Sequence, residues 1–249
     1  MGATLKFERE AHRVVLDVLG LLRADVLQCC RFLFGGGTRI VLELGEYRES
    51  KDIDFLCSDP QGYADLRFEA SRHGYPALFT AEGLELLQFP REMRIDQYGI
   101  RFTGILAATP LRIELIREAR IELGPPERPD WSPVDCLSIP DCYAEKLLAN
   151  SDRWADRQVF SRDLMDLAAL RAKCGPVPEP AWRKVESAYK SAPAEDLRKA
   201  LALVEGNGPY RQRCFQGLEI RDPTELLKGL ELLRGDIRPS SAADRPTPR

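Results

Sequence analysis

Histidine is scarce in this chain of 249 residues, which has only His12 and His73. Neither stands at a zinc-ligand spacing from the other or from a cysteine, so a structural zinc site is not expected. The seven cysteines, Cys29, Cys30, Cys57, Cys136, Cys142, Cys174 and Cys214, are odd in number and form no C-x-x-C pair. That pattern excludes a disulfide framework in favour of reduced, mostly packed thiols. No apolar run approaches the ~20 residues of a membrane helix. The opening MGATLKFERE lacks the apolar core of a secretory signal, so a cytoplasmic protein is expected. Positive charge is not in excess either: the net charge is −3. The molecule as a whole does not attract nucleic acid, and any RNA has to be held by a local patch. No internal repeat is present. What remains is ordinary globular composition, 44% hydrophobic and 30% charged, in a chain long enough for a substantial core and hence for an enzyme.

The pattern along the chain divides it in two. Residues 7–30 place Val14, Val15, Val18, Leu19, Leu22 and Leu27 at mostly helical spacing, which predicts an amphipathic helix with a break near Gly20. A short apolar run, 31–34, meets three glycines, and residues 38–44 then return to helical spacing: strand, glycine turn, helix. Residues 51–57 read as a strand, followed by a helix over 63–72 and by strands at 76–79, 99–107 and 111–116. The segment GPPERPDWSP breaks all periodicity and marks a linker. Beyond it, helices are expected over 138–150, 155–172, 182–190, 194–205 and 223–233. The expected class is mixed α+β, with an α/β core over 1–124, a linker at 125–133, a helical region over 134–235 and a disordered tail over 236–249.

One constellation carries chemistry. Strand alternation points Asp52 and Asp54 the same way, with Ile53 and Phe55 on the other face, so the two carboxylates can share a hard divalent cation such as Mg²⁺ or Mn²⁺. A turn of Gly35, Gly36 and Gly37 lets backbone N–H groups approach phosphate oxygens, and the helix starting near Thr38 adds its positive end. A nucleoside triphosphate fits there. Glu114, outward on a strand that buries Leu111, Ile113 and Leu115, is a candidate third carboxylate, to bind a second metal and help deprotonate an attacking hydroxyl. Triple glycines also make plain turns, and a D-x-D pair is also a solvated strand end. The order of strand, glycine turn, helix, D-x-D strand and distant acidic strand is what points to metal-assisted transfer.

The stretch FLFGGGTRIVLELGEYRESKDIDFL resembles the AbiE-type toxin nucleotidyltransferases, a minimal branch of the polymerase-β-like nucleotidyltransferase superfamily. There a GG or GS turn, a helix, an arginine-serine segment and a DIDF strand occur in this order. AEKLLANSDRWADRQVFSRDLMDLAAL resembles the family's later motifs, a helix-borne lysine and an R-D-x-x-D helix. The resemblance implies a polymerase-β-like core with a small mixed sheet, followed by helices. It also implies that Lys146 contacts nucleotide phosphates, that Asp166 or Asp163 is the last acidic residue, and that Arg48 and Ser50 touch the nucleotide or hold the loop. Helix spacing equally allows an Arg162–Asp166 ion pair, and Lys146 can also be read as a solvated surface lysine. Thr38 follows three glycines where other members place serine directly after them.

The resulting expectation is a toxin of a toxin–antitoxin or abortive-infection system that transfers NMP from an NTP to RNA, at the tRNA 3′ end, with a cognate antitoxin as partner. The RNA acceptor and the antitoxin rest on the resemblance alone. Arg91, Arg94, Arg101, Arg112, Arg117 and Arg120, with Arg153, Arg157, Arg162 and Arg171, are candidate phosphate contacts or solvated surface, being interspersed with acids. The alternatives are a protein hydroxyl or a small molecule such as an aminoglycoside as acceptor, or a non-catalytic module that kept the fold.

Overall fold

The computed structural model describes residues 7–238. They fall into two compact units, one ending at Ser138 and one starting at Ile139.

The first unit opens with α1 (Glu10–Leu21) and α2 (Ala24–Cys29). The expected break falls just beyond Gly20, where Leu22 turns to extended backbone and Arg23 N–H donates to Leu78 O. Strand β1 (Leu33–Gly35) runs directly into α3 (Gly36–Glu43), and β2 (Ile53–Cys57) leads to α4 (Pro60–His73). Asp59 caps α4, accepting from Gln61 N–H, with proline in the first turn; both are preferred helix-start features. The strand expected at residues 76–79 is instead a 3-10 turn, Tyr75–Ala77. Gly74 turns the chain at φ 65, and Pro76 sits inside the turn that follows. The apolar run there fills a corner rather than a sheet: Tyr75 stacks on Phe89 at 3.7 Å. Then come α5 (Ala81–Leu86), β3 (Arg94–Ile95), β4 (Gly99–Leu106) and β5 (Thr109–Arg117).

The five strands form one sheet in the order β1-β2-β5-β4-β3, parallel only between β2 and β5. One face is apolar. Ile53, Phe55, Ile100, Phe102, Leu111, Ile113 and Leu115 are buried in a core shared with Val15, Val18 and Leu19 of α1 and Tyr63 and Leu66 of α4. The alternation of β-strands leaves the opposite face to polar side chains, and that face holds the candidate site.

Residues 125–138 belong to the first unit. Phe34 N–H donates to Asp135 O and Leu137 N–H to Phe34 O, so the segment runs beside β1. Buried Arg39 of α3 reaches Glu43 at 2.7 Å and Glu127 at 3.4 Å, with its guanidinium over the Trp131 ring. Val134 and Cys136 enter the core.

The second unit is helical: α6 (Ile139–Arg153), α7 (Arg162–Cys174), α8 (Glu179–Tyr189), α9 (Ala192–Glu205), α10 (Gly208–Gly217) and α11 (Thr224–Asp236). The helix expected from residue 155 starts only at Arg162. Residues 157–159 form a 3-10 turn, and Phe160 and Ser161 both have positive φ, 53 and 48. Helices α7 and α11 touch backbone to backbone: a methyl at Gly229 would overlap the carbonyl of Ala168. Asp236 accepts from Val177 N–H and pairs with Arg171, while Arg238 pairs with Glu186. The rest of the expected disordered tail lies outside the described residues.

All seven cysteines are free, five of them buried. Burial pushes the Cys30 and Cys57 thiols up to about 11, so they are packing groups rather than nucleophiles.

Candidate active site

Alternation along β2 buries Ile53 and Phe55 completely and turns Asp54 to the open face of the sheet, with Asp52 just before the strand. Register aligns five residues across that face. Gly35 pairs with Asp54, Asp54 with Glu114, Glu114 with Arg101 and Arg101 with Arg94. Gly36 has φ 66, and a Cβ there would overlap Asp54 Oδ2 and lie 3.0 Å from Asp54 Cγ. The glycine turn therefore lies directly on the aspartate, which only a residue without a side chain permits. Helix α3 starts at Gly36 with a glycine at its cap, so no cap side chain closes the positive end of the helix.

Thr38 does not face that opening. It is fully buried, and its hydroxyl donates to Asp52 O at 2.5 Å. With that proton committed, the 2.8 Å bond to Ser50 has the serine hydroxyl as donor. Ser50 N–H in turn donates to His12 Nε2 at 3.2 Å, and His12 Nδ1 lies 2.7 Å from Glu46 Oε1. The Glu46 carboxylate also accepts from the N–H groups of Glu8 and Arg9. Arg48 is buried as well, with its guanidinium donating to Glu49 O. Thr38 and Ser50 thus hold the backbone behind the carboxylates. His12 and Glu46 were not anticipated as parts of the site. The available signal was His12 on the apolar stripe of α1, three residues before Val15 and seven before Leu19.

Glu114 is adjacent to Asp54, as the alternation of β5 requires, but two guanidinium groups hold its carboxylate: Arg112 at 2.7 Å and Arg101 at 3.2 Å. Arg101 also reaches Asp96 at 3.3 Å. Among the described residues no group of three His, Cys, Asp or Glu is placed to hold a metal. The donor set therefore does not fit an all-protein cage. Asp52 and Asp54 beside an open glycine turn do fit Mg²⁺, which commonly binds through one or two carboxylates plus substrate phosphates.

In the second unit, Lys146 of α6 is buried. Its ammonium lies 3.0 Å from Asp163 and 2.6 Å from Asp166, both on α7. Arg153 donates to Asp163 through Nε at 2.6 Å and Nη2 at 2.9 Å. The solvated-lysine reading is thereby corrected, and Asp166 faces Lys146 where a pair with Arg162 was considered. Burial alone would raise the Asp163 carboxyl, but Lys146 and Arg153 hold it far below the usual carboxylate range. The consecutive left-handed residues Phe160 and Ser161 introduce this helix, with Ser161 bonded to Tyr210 at 2.9 Å. Neither the strained turn nor Arg153's bidentate bond was visible in residue spacing.

A mixed sheet with this glycine turn and D-x-D strand is the fold of nucleotidyltransferases. A crystal structure described as a candidate nucleotidyltransferase from H. pylori is similar over 94% of this chain and 97% of its own, at 15% identity and TM-score 0.52. JHP933 from Helicobacter pylori is similar over 93% of this chain and 95% of its own, at 14% identity and TM-score 0.53. No curated protein matches the chain. The sequence pattern of the AbiEii family, nucleotidyl transferase AbiEii toxins of type IV toxin–antitoxin systems, matches residues 20–225. The chain belongs to that family and is a nucleotidyltransferase. The family implies an NTP substrate and an antitoxin partner. No helix among the described residues is long and apolar enough to cross a membrane.

Proposed function

We propose that the open face around Asp52 and Asp54 is the transfer site, where a nucleoside monophosphate passes from an NTP to a hydroxyl of an RNA acceptor, the 3′ end of tRNA. The observation that carries this reading is the close approach of the Gly36 backbone to the Asp54 carboxylate at the start of α3, which sets the positive end of a helix beside the D-x-D strand. In the reaction the acceptor oxygen bonds to the α-phosphorus, the bond to the β-phosphate oxygen breaks, and pyrophosphate leaves. Asp52 and Asp54 would hold Mg²⁺ or Mn²⁺, which when bound neutralises phosphate charge. Gly35 holds the turn in the sheet beside Asp54, the N–H groups of Gly36 and Gly37 orient the phosphates, and Thr38 and Ser50 keep the turn and the carboxylates in register. The nearby cation Arg48 supports the nucleotide loop from within.

Glu114 is the third carboxylate of the row. A metal role for it requires both Arg112, whose side chain is 61% exposed, and Arg101 to release its carboxylate. On the family resemblance Lys146 and Asp166 are the lysine and the acid of the later motifs, the lysine a phosphate contact, and within the second unit they pair at 2.6 Å. The acceptor assignment rests on the family resemblance; Arg94, Arg101 and Arg112 lie on the same face as Asp54, and an RNA phosphate there would replace Asp96 and Glu114 as their partner. Action as a toxin in abortive infection follows the same family line.

The test is incubation of the protein and Mg²⁺ with each labelled NTP and total tRNA. Label on tRNA supports the reading. Label on protein or on an aminoglycoside instead moves the acceptor while keeping the site, and label on nothing with any NTP removes the proposal.

A further inference from the structure

His12 is the one imidazole in the protein's interior, and its surroundings fix its state. Glu46, Arg9 and Glu49 are the charged groups that act on it, and burial outweighs the acids to lower its affinity for a proton. The hydrogen bonds agree: Nε2 accepts from Ser50 N–H, so the ring proton sits on Nδ1 and is donated to Glu46. From this point every donor direction in the chain of bonds is determined. Glu46 accepts from His12 and from the backbone at the start of α1. His12 accepts from Ser50 N–H, Ser50 O–H donates to Thr38, and Thr38 O–H donates to the carbonyl of Asp52.

We infer that His12 is a positioning residue of the transfer reaction. It acts through Ser50 and Thr38 to place Asp52 and Asp54 against the glycine turn. The inference rests on the reading of those aspartates as the metal-holding pair. The segment between α3 and β2 is anchored near α3 by Glu46 N–H on Val41 O and by Arg9 Nε on Glu46 O. The relay ties its other end, at Ser50, to α1, to the first turn of α3 and to the main chain of an active carboxylate. A displacement of about 1 Å at such a site costs on the order of a hundredfold in rate, so a group remote from the chemistry can control it.

Two substitutions separate the relay from simple packing. Asn reproduces the Nδ1 position and can still donate to Glu46, but it leaves Ser50 N–H without its acceptor. Gln reproduces the Nε2 position and can accept from Ser50, but it loses the bond to Glu46. Mn²⁺ alone is titrated by its free-ion electron paramagnetic resonance into the wild type, His12→Asn, His12→Gln and Asp54→Asn, and Ser50 amide exchange is followed by ¹⁵N NMR. The expected result is that His12→Asn weakens Mn²⁺ binding on the order of tenfold and speeds Ser50 exchange, while His12→Gln recovers most of both. Wild-type Mn²⁺ affinity in His12→Asn, or equal losses in the two His12 variants, would overturn the relay. No Mn²⁺ binding by wild type, or unchanged binding by Asp54→Asn, would instead overturn the carboxylate reading beneath it.

Discussion

Replacing Asp163 with asparagine should cost far more than an ordinary surface charge. The carboxylate is almost completely buried and accepts from Lys146 Nζ at 3.0 Å and from Arg153 Nε and Nη2 at 2.6 and 2.9 Å. The amide keeps one acceptor oxygen but turns N–H donors toward two cations, leaving buried positive charge without its partner. Breaking a buried pair in this way costs about 3–5 kcal/mol. Two features pull the value to the low end. The Arg153 side chain is 34% exposed, and Asp166 still faces Lys146 at 2.6 Å. The expected loss is therefore about 3 kcal/mol, read as a shift in urea unfolding midpoint at unchanged slope. Glu225→Gln is the matched control. Its partner Lys173 lies 3.7 Å away with both side chains half exposed, and the loss there should be under about 1 kcal/mol. A loss at Asp163 no greater than that of the control would refute the idea that this cluster is a buried electrostatic unit.

Other expectations follow from single contacts. Gly36→Ala places a methyl on the Asp54 carboxylate in a left-handed backbone, so transfer should fall on the order of a hundredfold; activity within twofold of wild type in a labelled-NTP assay would contradict the geometry. Gly229→Ala pushes against the Ala168 carbonyl and should destabilise by about 1–3 kcal/mol in denaturant unfolding; a neutral result would mean the two helices separate without cost. Stability should also fall on acidification. The folded His12 resists protonation, whereas in the unfolded chain it titrates near its ordinary 6.5. Its contribution is thus complete above that value and is lost as the pH drops below it, by at most about 1.4 kcal/mol per pH unit. In His12→Gln that part of the slope should disappear, and its persistence would assign the titration to another group.

Much of the site was legible because it depends on local periodicity. The alternation of Ile53 and Phe55 with Asp54, and of Ile113 and Leu115 with Glu114, predicts two carboxylates on one sheet face without tertiary information, and the register sets them side by side. The partners of those side chains were not legible. Glu114 meets Arg101 only because β4 pairs with β5 in one register, and Lys146 is buried because α6 packs on α7. Residues 76–79 resembled a strand because Ala77, Leu78 and Phe79 are apolar, yet Gly74 and Pro76 lead the chain into a 3-10 turn over Tyr75–Ala77. The proline-rich segment around residue 130 lacks periodicity, but Trp131 and Cys136 pack it onto the first unit, a long-range event that local spacing does not encode. Thr38 was expected to meet the nucleotide, but the inward direction of its hydroxyl is set by Ser50 and Asp52, twelve and fourteen residues away.

The most direct test of the central claim follows the fate of two phosphates. An NTP labelled at the α-phosphate and the same NTP labelled at the γ-phosphate are offered, with Mg²⁺ and total tRNA, to the wild type and to Asp54→Asn. The account predicts α-label on the acceptor and γ-label in pyrophosphate with the wild type, and neither with Asp54→Asn. Transfer of the γ-label, or undiminished transfer by Asp54→Asn, would contradict it.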